Sequence, residues 1–209
     1  MSKKGDYIDS IEGAERRFFL APVTVEARAE GDENTPAVIE GMAALYNQRA
    51  DLGWYEEEIL PGAFDDVLMD DVRCLFNHDA NLLLARSNKG QGTLTLTAVT
   101  TGLRYRYETP NRSYALDLAD AIEKGDVSQS SFAFRVKEAI WVEREGEEKE
   151  LRQIKKIEQL LDVSPVTYPA YTDTSVAKRS LEAEQKENTN PGPSKLKLRR
   201  AQVELLKLK

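Results

Sequence analysis

The 209-residue chain carries a formal net charge of -7, with 41% hydrophobic and 31% charged residues. That length fits one domain with appendages, and the acidic balance argues against sequence-wide binding of nucleic acid, which calls for a basic face. A single cysteine excludes an intrachain disulfide and suits a reducing compartment; the start lacks an apolar signal region, and no apolar run approaches the roughly 20 residues that span a bilayer.

Residues 1–15 are polar and read as a flexible N-terminus. From Arg16 the broken alternation of Phe18, Leu20, Val23 and Val25 reads as a strand, 30–36 as a loop, and 38–46 as a second strand carrying Gly41. A turn at 51–54 leads into a short strand over 55–60, which Pro61-Gly62 breaks. Phe64, Val67 and Leu68, at i, i+3 and i+4, predict a short helix over 63–69. The apolar run 72–76 reads as a strand ending at Asn77-His78, followed by another over 82–85 and a turn over 88–92. Strict alternation over 93–97 and again over 103–107, separated by Thr101-Gly102, predicts a hairpin.

Asn111 or Ser113 can cap a second helix running to about Lys124, with Tyr114, Leu118, Ala121 and Ile122 as its buried stripe and Gly125 as its stop. Strands follow over 127–136, 139–142, 150–157 and 160–167, with a turn at 145–147. The domain spans 16–180; beyond it lie a polar linker (181–194) and a basic, leucine-rich tail (195–209) suited to a short helix. Many short strands, two short helices and frequent turns predict a mainly β fold with α, a small closed barrel or sandwich with helices attached.

His78 is the only histidine, so it cannot be half of a histidine metal pair, yet it can serve as a general base because its ordinary pKa lies near about 6.5. Zinc-site spacings are absent, and Glu56-Glu57-Glu58 and Asp65-Asp66 read as a solvated acidic face. Neither GxGxxG nor GxxxxGK[ST] occurs, so neither metal nor nucleotide cofactor is called for. Cys74 falls in the same predicted strand as His78, roughly 13 Å away at i and i+4, and reads as a core residue rather than a partner.

Ser128, Ser130 and Ser131 crowd the start of a strand beside Phe132 and Phe134, which fits either a nucleophile or a serine-rich turn. Asp162, flanked by Leu160, Leu161, Val163 and Val166, is either a buried carboxylate in need of a partner or a strand-end residue facing solvent.

Taken in order, several blocks resemble the prohead (capsid maturation) serine proteases of tailed bacteriophages, a family similar to the herpesvirus assemblins. They are Gly41 to Asn47 (GMAALYN), Glu58 to Phe64 (EILPGAF), Leu75 to Asp79 (LFNHD), Gly102-Leu103, Gly125 to Phe134 (GDVSQSSFAF) and Leu161 to Tyr171 (LDVSPVTYPAY). The resemblance covers about 16–180 and implies a small, mostly antiparallel β-barrel surrounded by helices. It assigns His78 as base, Ser131 as nucleophile and Asp162 as the acidic third member, with Glu158 as the other carboxylate for that role. Ala133 stands where the family commonly has glycine between the two aromatics, Gln129 where glycine is frequent, and Asp162 where glutamate is frequent. Backbone N–H groups near Tyr168 to Tyr171 are one choice for an oxyanion hole.

The resemblance further implies an endopeptidase that works inside the procapsid in the host cytoplasm. Its substrates are scaffold or major capsid protein segments, and itself. No membrane and no nucleic-acid partner are expected from the acidic charge and the lack of a long apolar run; the resemblance adds a homo-oligomer as an expectation. The competing readings are a non-catalytic capsid assembly module on the same barrel and a metal-dependent hydrolase that uses the acidic clusters.

Overall fold

Alternating apolar residues build most of the computed structural model, which describes residues 11–26, 36–53, 55–144 and 149–168 (backbone alone over 18–21). Its strands are β1 (Ala14–Val25), β2 (Val38–Leu45), β3 (Ala50–Asp51), β4 (Glu56–Ile59), β5 (Val72–Leu75), β6 (Leu83–Asn88), β7 (Gln91–Gly92), β8 (Leu94–Val99) and β9 (Gly102–Glu108). The helix α1 (Ser113–Glu123) follows, then the long strands β10 (Gln129–Val142) and β11 (Leu151–Val166).

Neighbours run β7-β6-β5-β11-β10-β1-β2-β9-β8, with β4 on β11 and β3 on β4. Only β4 and β5 lie parallel to β11; every other named pair of strands is antiparallel. The two ends of this path approach each other: Thr93, just before β8, donates its backbone N–H to the Arg86 carbonyl on β6 at 3.0 Å. The sheet is therefore a nearly closed barrel, and the mainly β class expected from the sequence holds. Among the described residues there is one α-helix, so the ring of helices implied by the resemblance is not seen there.

Period-two geometry decides what fills the barrel. On β10, Ser130, Phe132 and Phe134 face the core, where the Phe132 and Phe134 rings stack at 4.6 Å and Phe64 meets Phe132 edge-on at 5.7 Å. Each fully buried phenylalanine of this kind contributes roughly 1.5–3 kcal/mol. Ser131 and Ala133 face the other way, and that parity creates the site described below.

The 93–97 and 103–107 hairpin forms as expected, as β8 and β9 with Leu96 opposite Tyr105. Other expectations are corrected. The separate strands read over 127–136 and 139–142 are one strand, and so are those over 150–157 and 160–167. The interruptions at 137–138 and 158–159 lie among a series of register shifts between β10 and β11. A bulge breaks alternation without ending pairing, so in sequence it imitates a strand end.

Residues 63–69 form successive tight turns rather than a helix, with N–H groups of Ala63, Asp65, Val67 and Asp70 bonded three residues back. The i, i+3 spacing of Phe64 and Val67 is met equally well by such turns, and so short a segment gives little against the cost of nucleating a helix. The cap of α1 is Arg112, not Asn111 or Ser113, and it makes no side-chain cap hydrogen bond. Instead the Arg112 guanidinium and the Tyr114 hydroxyl (2.7 Å) both donate to the Leu83 carbonyl, tying the helix start to β6.

Ala115, Leu118, Ala119 and Ile122 are buried along α1, while Tyr114 and Ala121 flank that stripe half-buried. Gly125 ends the helix as expected, at φ 82°, with its N–H on Ile122 and that of Asp126 on Ala121. β1 begins at Ala14, so Glu15, read as part of the polar start, is a buried strand residue. The expectations for 1–10, the loop at 30–35, the turn at 145–147, the linker over 181–194 and the tail over 195–209 lie outside the described residues.

Candidate active site

β5, β11 and β10 lie side by side; β10, β11 and the turn after β5 supply the members of a buried polar row. Ser131 on β10 stands opposite Ser164 on β11, and Ala133 stands opposite Asp162. Directly paired residues share a face, so Ser131, Asp162 and Ser164 project from the same side of the wall. At Asp162 the register slips: Ala133 pairs with Asp162 but Phe134 with Leu160, leaving Leu161 as the extra residue of a bulge. Bulges re-aim neighbouring side chains, and here the re-aimed residue is the carboxylate.

His78 arrives from the far side of β11. β5 runs parallel to β11, with Val163 beside Cys74, and ends at Leu75. His78 is therefore not in the strand, as the sequence reading had it, but in the turn that follows. Asn77 and His78 both take left-handed backbone conformations, at φ 54° and 59°. Such conformations are uncommon for residues other than glycine, though asparagine and histidine are enriched in them.

A clamp on β11 holds this turn. The Asn77 N–H donates to the Pro165 carbonyl at 3.1 Å, its amide donates to Thr167 Oγ1 at 3.0 Å, and its Oδ1 accepts the Thr167 N–H at 2.9 Å.

The imidazole so placed bridges the row. His78 Nδ1 lies 2.7 Å from Asp162 Oδ1, and Nε2 lies 2.6 Å from Ser131 Oγ. All three are buried, Ser131 at 0%, His78 at 4% and Asp162 at 1% exposure. A carboxylate at Nδ1 favours the tautomer with its proton there, which leaves Nε2 as an acceptor for the serine hydroxyl. The Ser131 hydroxyl has a second acceptor in the Arg17 carbonyl at 2.9 Å. The arrangement can thus pass a proton from an alcohol to an imidazole while a buried anion faces the developing imidazolium.

The neighbouring serines are disposed otherwise. Ser130 points into the barrel, where its Oγ is 2.8 Å from the Tyr105 hydroxyl, and Ser128 is exposed. The Tyr105 ring occupies the space above Gly41, where a Cβ would come within 2.5 Å of it. Glu158 lies on the surface, paired with Arg135 at 3.2 Å, and takes no part in the row. Cys74 is buried in the core; burial first, and the Asp162 charge second, push its thiol well above the ordinary value, so it persists as the unreactive thiol. Tyr168 is exposed, and residues 169–171 lie outside the described residues.

A family model described as caudovirus prohead serine protease matches residues 23–188. The chain belongs to this family. No curated protein and no solved structure matches it. The protease is thus an enzyme of phage capsid maturation, and the matched stretch contains His78, Ser131, Asp162 and Ser164.

Three features of the protease's site escaped the sequence reading. Ser164 lies within hydrogen-bond reach of both His78 and Asp162, a position its parity with Asp162 would have flagged. The Asn77–Thr167 clamp could have been suspected from the liking of asparagine for left-handed turns.

The third is a charge cluster on the core face. Arg17 and Arg152 both bond Glu15 and Glu57; one Arg152 contact to each carboxylate and one Arg17 contact to Glu57 measure 2.9 Å. Arg17 also lies 5.7 Å from the Phe134 ring centroid. Burial opposes ionisation of Glu15, but the two guanidiniums outweigh it and hold its carboxyl below the ordinary value. The acidic run read as a solvated face is therefore corrected: Glu57 and Glu58 are buried, and Glu58 accepts from Gln153 at 2.7 Å. These glutamates are retained in the wall because cationic and amide donors from β1 and β11 meet them, as buried charge requires.

Proposed function

We propose that the chain is a serine endopeptidase that cleaves coat-protein or scaffold segments, and itself, inside the phage procapsid. Ser131 is the nucleophile, His78 the general base and Asp162 the group that orients and stabilises the imidazolium. The observation that carries this reading is the hydrogen-bonded chain from Ser131 Oγ through both nitrogens of His78 to Asp162 Oδ1.

In this mechanism His78 Nε2 takes the Ser131 proton as Oγ attacks a peptide carbonyl. The proton then passes to the leaving amine, which departs and leaves an acyl-serine. His78 next deprotonates a water that attacks the ester, and it returns that proton to Ser131. Backbone N–H groups supply the oxyanion hole.

The test is to make the protease together with coat and scaffold proteins and follow their cleavage by mass spectrometry, alongside labelling by a fluorophosphonate. Wild type should cut and be labelled on Ser131. Ser131→Ala should lose cleavage by at least about 10³-fold while its melting temperature stays near that of wild type. Cleavage retained by Ser131→Ala, or wild type that neither cuts nor labels, would sink the assignment.

A further inference from the structure

We propose that Ser164 is a positioning residue that holds Asp162 and the His78 ring in their working geometry; the inference rests on the triad proposed above. Ser164 is fully buried and sits on β11 directly opposite Ser131, two residues beyond Asp162 on the same face. Its hydroxyl donates to Asp162 Oδ1 at 3.2 Å, and its oxygen lies 3.2 Å from His78 Nδ1. The hydroxyl therefore closes a triangle with the acid and the base.

The carboxylate depends on this triangle. Both hydrogen bonds that Asp162's side chain makes among the described residues, to His78 and to Ser164, fall on Oδ1. Its Oδ2 is buried and has no hydrogen-bond partner among them. The terminal torsion of an aspartate is soft, with broad wells. A carboxylate whose Oδ1 meets the ring alone can swing that oxygen out of line with Nδ1 unless a second donor holds the same oxygen in place.

Ser164 is that donor, and it is independent of the proton that moves in the reaction. Its lone pair meanwhile offers the Nδ1–H a second, longer acceptor. Both contacts favour the tautomer that leaves Nε2 free for the Ser131 hydroxyl. A serine that merely filled space would be replaceable by alanine without effect on the ring.

Because His78 is the only histidine, imidazole ¹⁵N signals from histidine-labelled protein report on this one ring. Full-length wild type, Ser164→Ala and Ser164→Thr are compared, with folding checked by thermal melting. Ser164→Ala should lower kcat about tenfold, the scale of one hydrogen bond to a charged acceptor, and leave KM unchanged. It should also move the Nδ1 resonance and raise the share of the Nε2–H tautomer. Ser164→Thr, which keeps the hydroxyl, should recover most of the rate and the wild-type spectrum.

Wild-type kcat together with an unmoved ring spectrum in Ser164→Ala overturns the proposal and leaves the triad standing. So does a slower Ser164→Ala whose ring signals match wild type, since that is a packing effect. A wild type that does not react at Ser131 fails the triad itself, and Ser164's role falls with it.

Discussion

The two faces of the β1–β10–β11 wall each bury a polar cluster, but they differ in the kind of contact that holds it. On the core face, Glu15, Arg17, Glu57 and Arg152 make a neutral quartet in which each carboxylate meets both guanidiniums. On the outer face, one serine proton has two acceptors, and one oxygen of Asp162 has no hydrogen-bond partner among the described residues. Burial alone does not separate a structural cluster from a reactive one. The quartet's contacts join guanidinium donors to carboxylates, whereas the proposed triad sets a hydroxyl against an imidazole nitrogen.

If that distinction is right, substitutions on the two faces should fail in different ways. The largest effect is expected from Asp162→Asn. An amide at Nδ1 supports the wrong tautomer, so kcat should drop by about 10⁴-fold. The melting temperature should hold or rise, because a buried charge is removed. A loss of stability in step with the loss of rate would erase the distinction.

Glu57→Gln should do the opposite. It leaves Arg17 and Arg152 facing one carboxylate and should cost about 3–5 kcal/mol in chemical unfolding. Fluorophosphonate labelling of the folded fraction should stay at the wild-type rate. Slower labelling at unchanged stability would show that the quartet governs the site through Arg17, whose carbonyl accepts from Ser131.

The smallest effect is expected from acid. The Glu15 carboxyl is held below its ordinary value of 4.5 in the fold, so the unfolded chain binds its proton first as pH falls. Its stabilising contribution is complete above that ordinary value and is lost as pH drops through the lower, folded one. Melting temperature should therefore decline below about pH 4.5, and less steeply once Glu15→Gln removes this titration. An unchanged acid slope in that variant would assign the loss to other carboxylates.

How much of this was legible in the chain can be judged residue by residue. The hairpin of β8 and β9 was readable because strict alternation needs no tertiary help, and the end of α1 because Gly125 supplies a left-handed residue cheaply. The start of α1 was not, because Arg112 and Tyr114 tie it to the Leu83 carbonyl of another strand rather than through a local cap. β10 and β11 looked like several strands because bulges disturb periodicity without breaking the ladder. His78, Ser131 and Asp162 were picked out by residue type and by resemblance to the family, and the fold brings them within hydrogen-bond reach of one another. Ser164 and Asn77 passed unnoticed because their importance lies in what they touch.

By itself the sequence determined the mainly β class, the identity of the one available imidazole and the family to which the chain belongs, since composition, alternation and ordered motifs are local properties. The tertiary structure alone decided that Ser130 faces Tyr105 while Ser131 faces His78, that Asp162 rather than Glu158 meets the ring, and that Glu57 is a buried ion-pair partner rather than a solvated charge. Strand register and bulges set those outcomes, because shifting a strand by one residue exchanges every side chain between core and site.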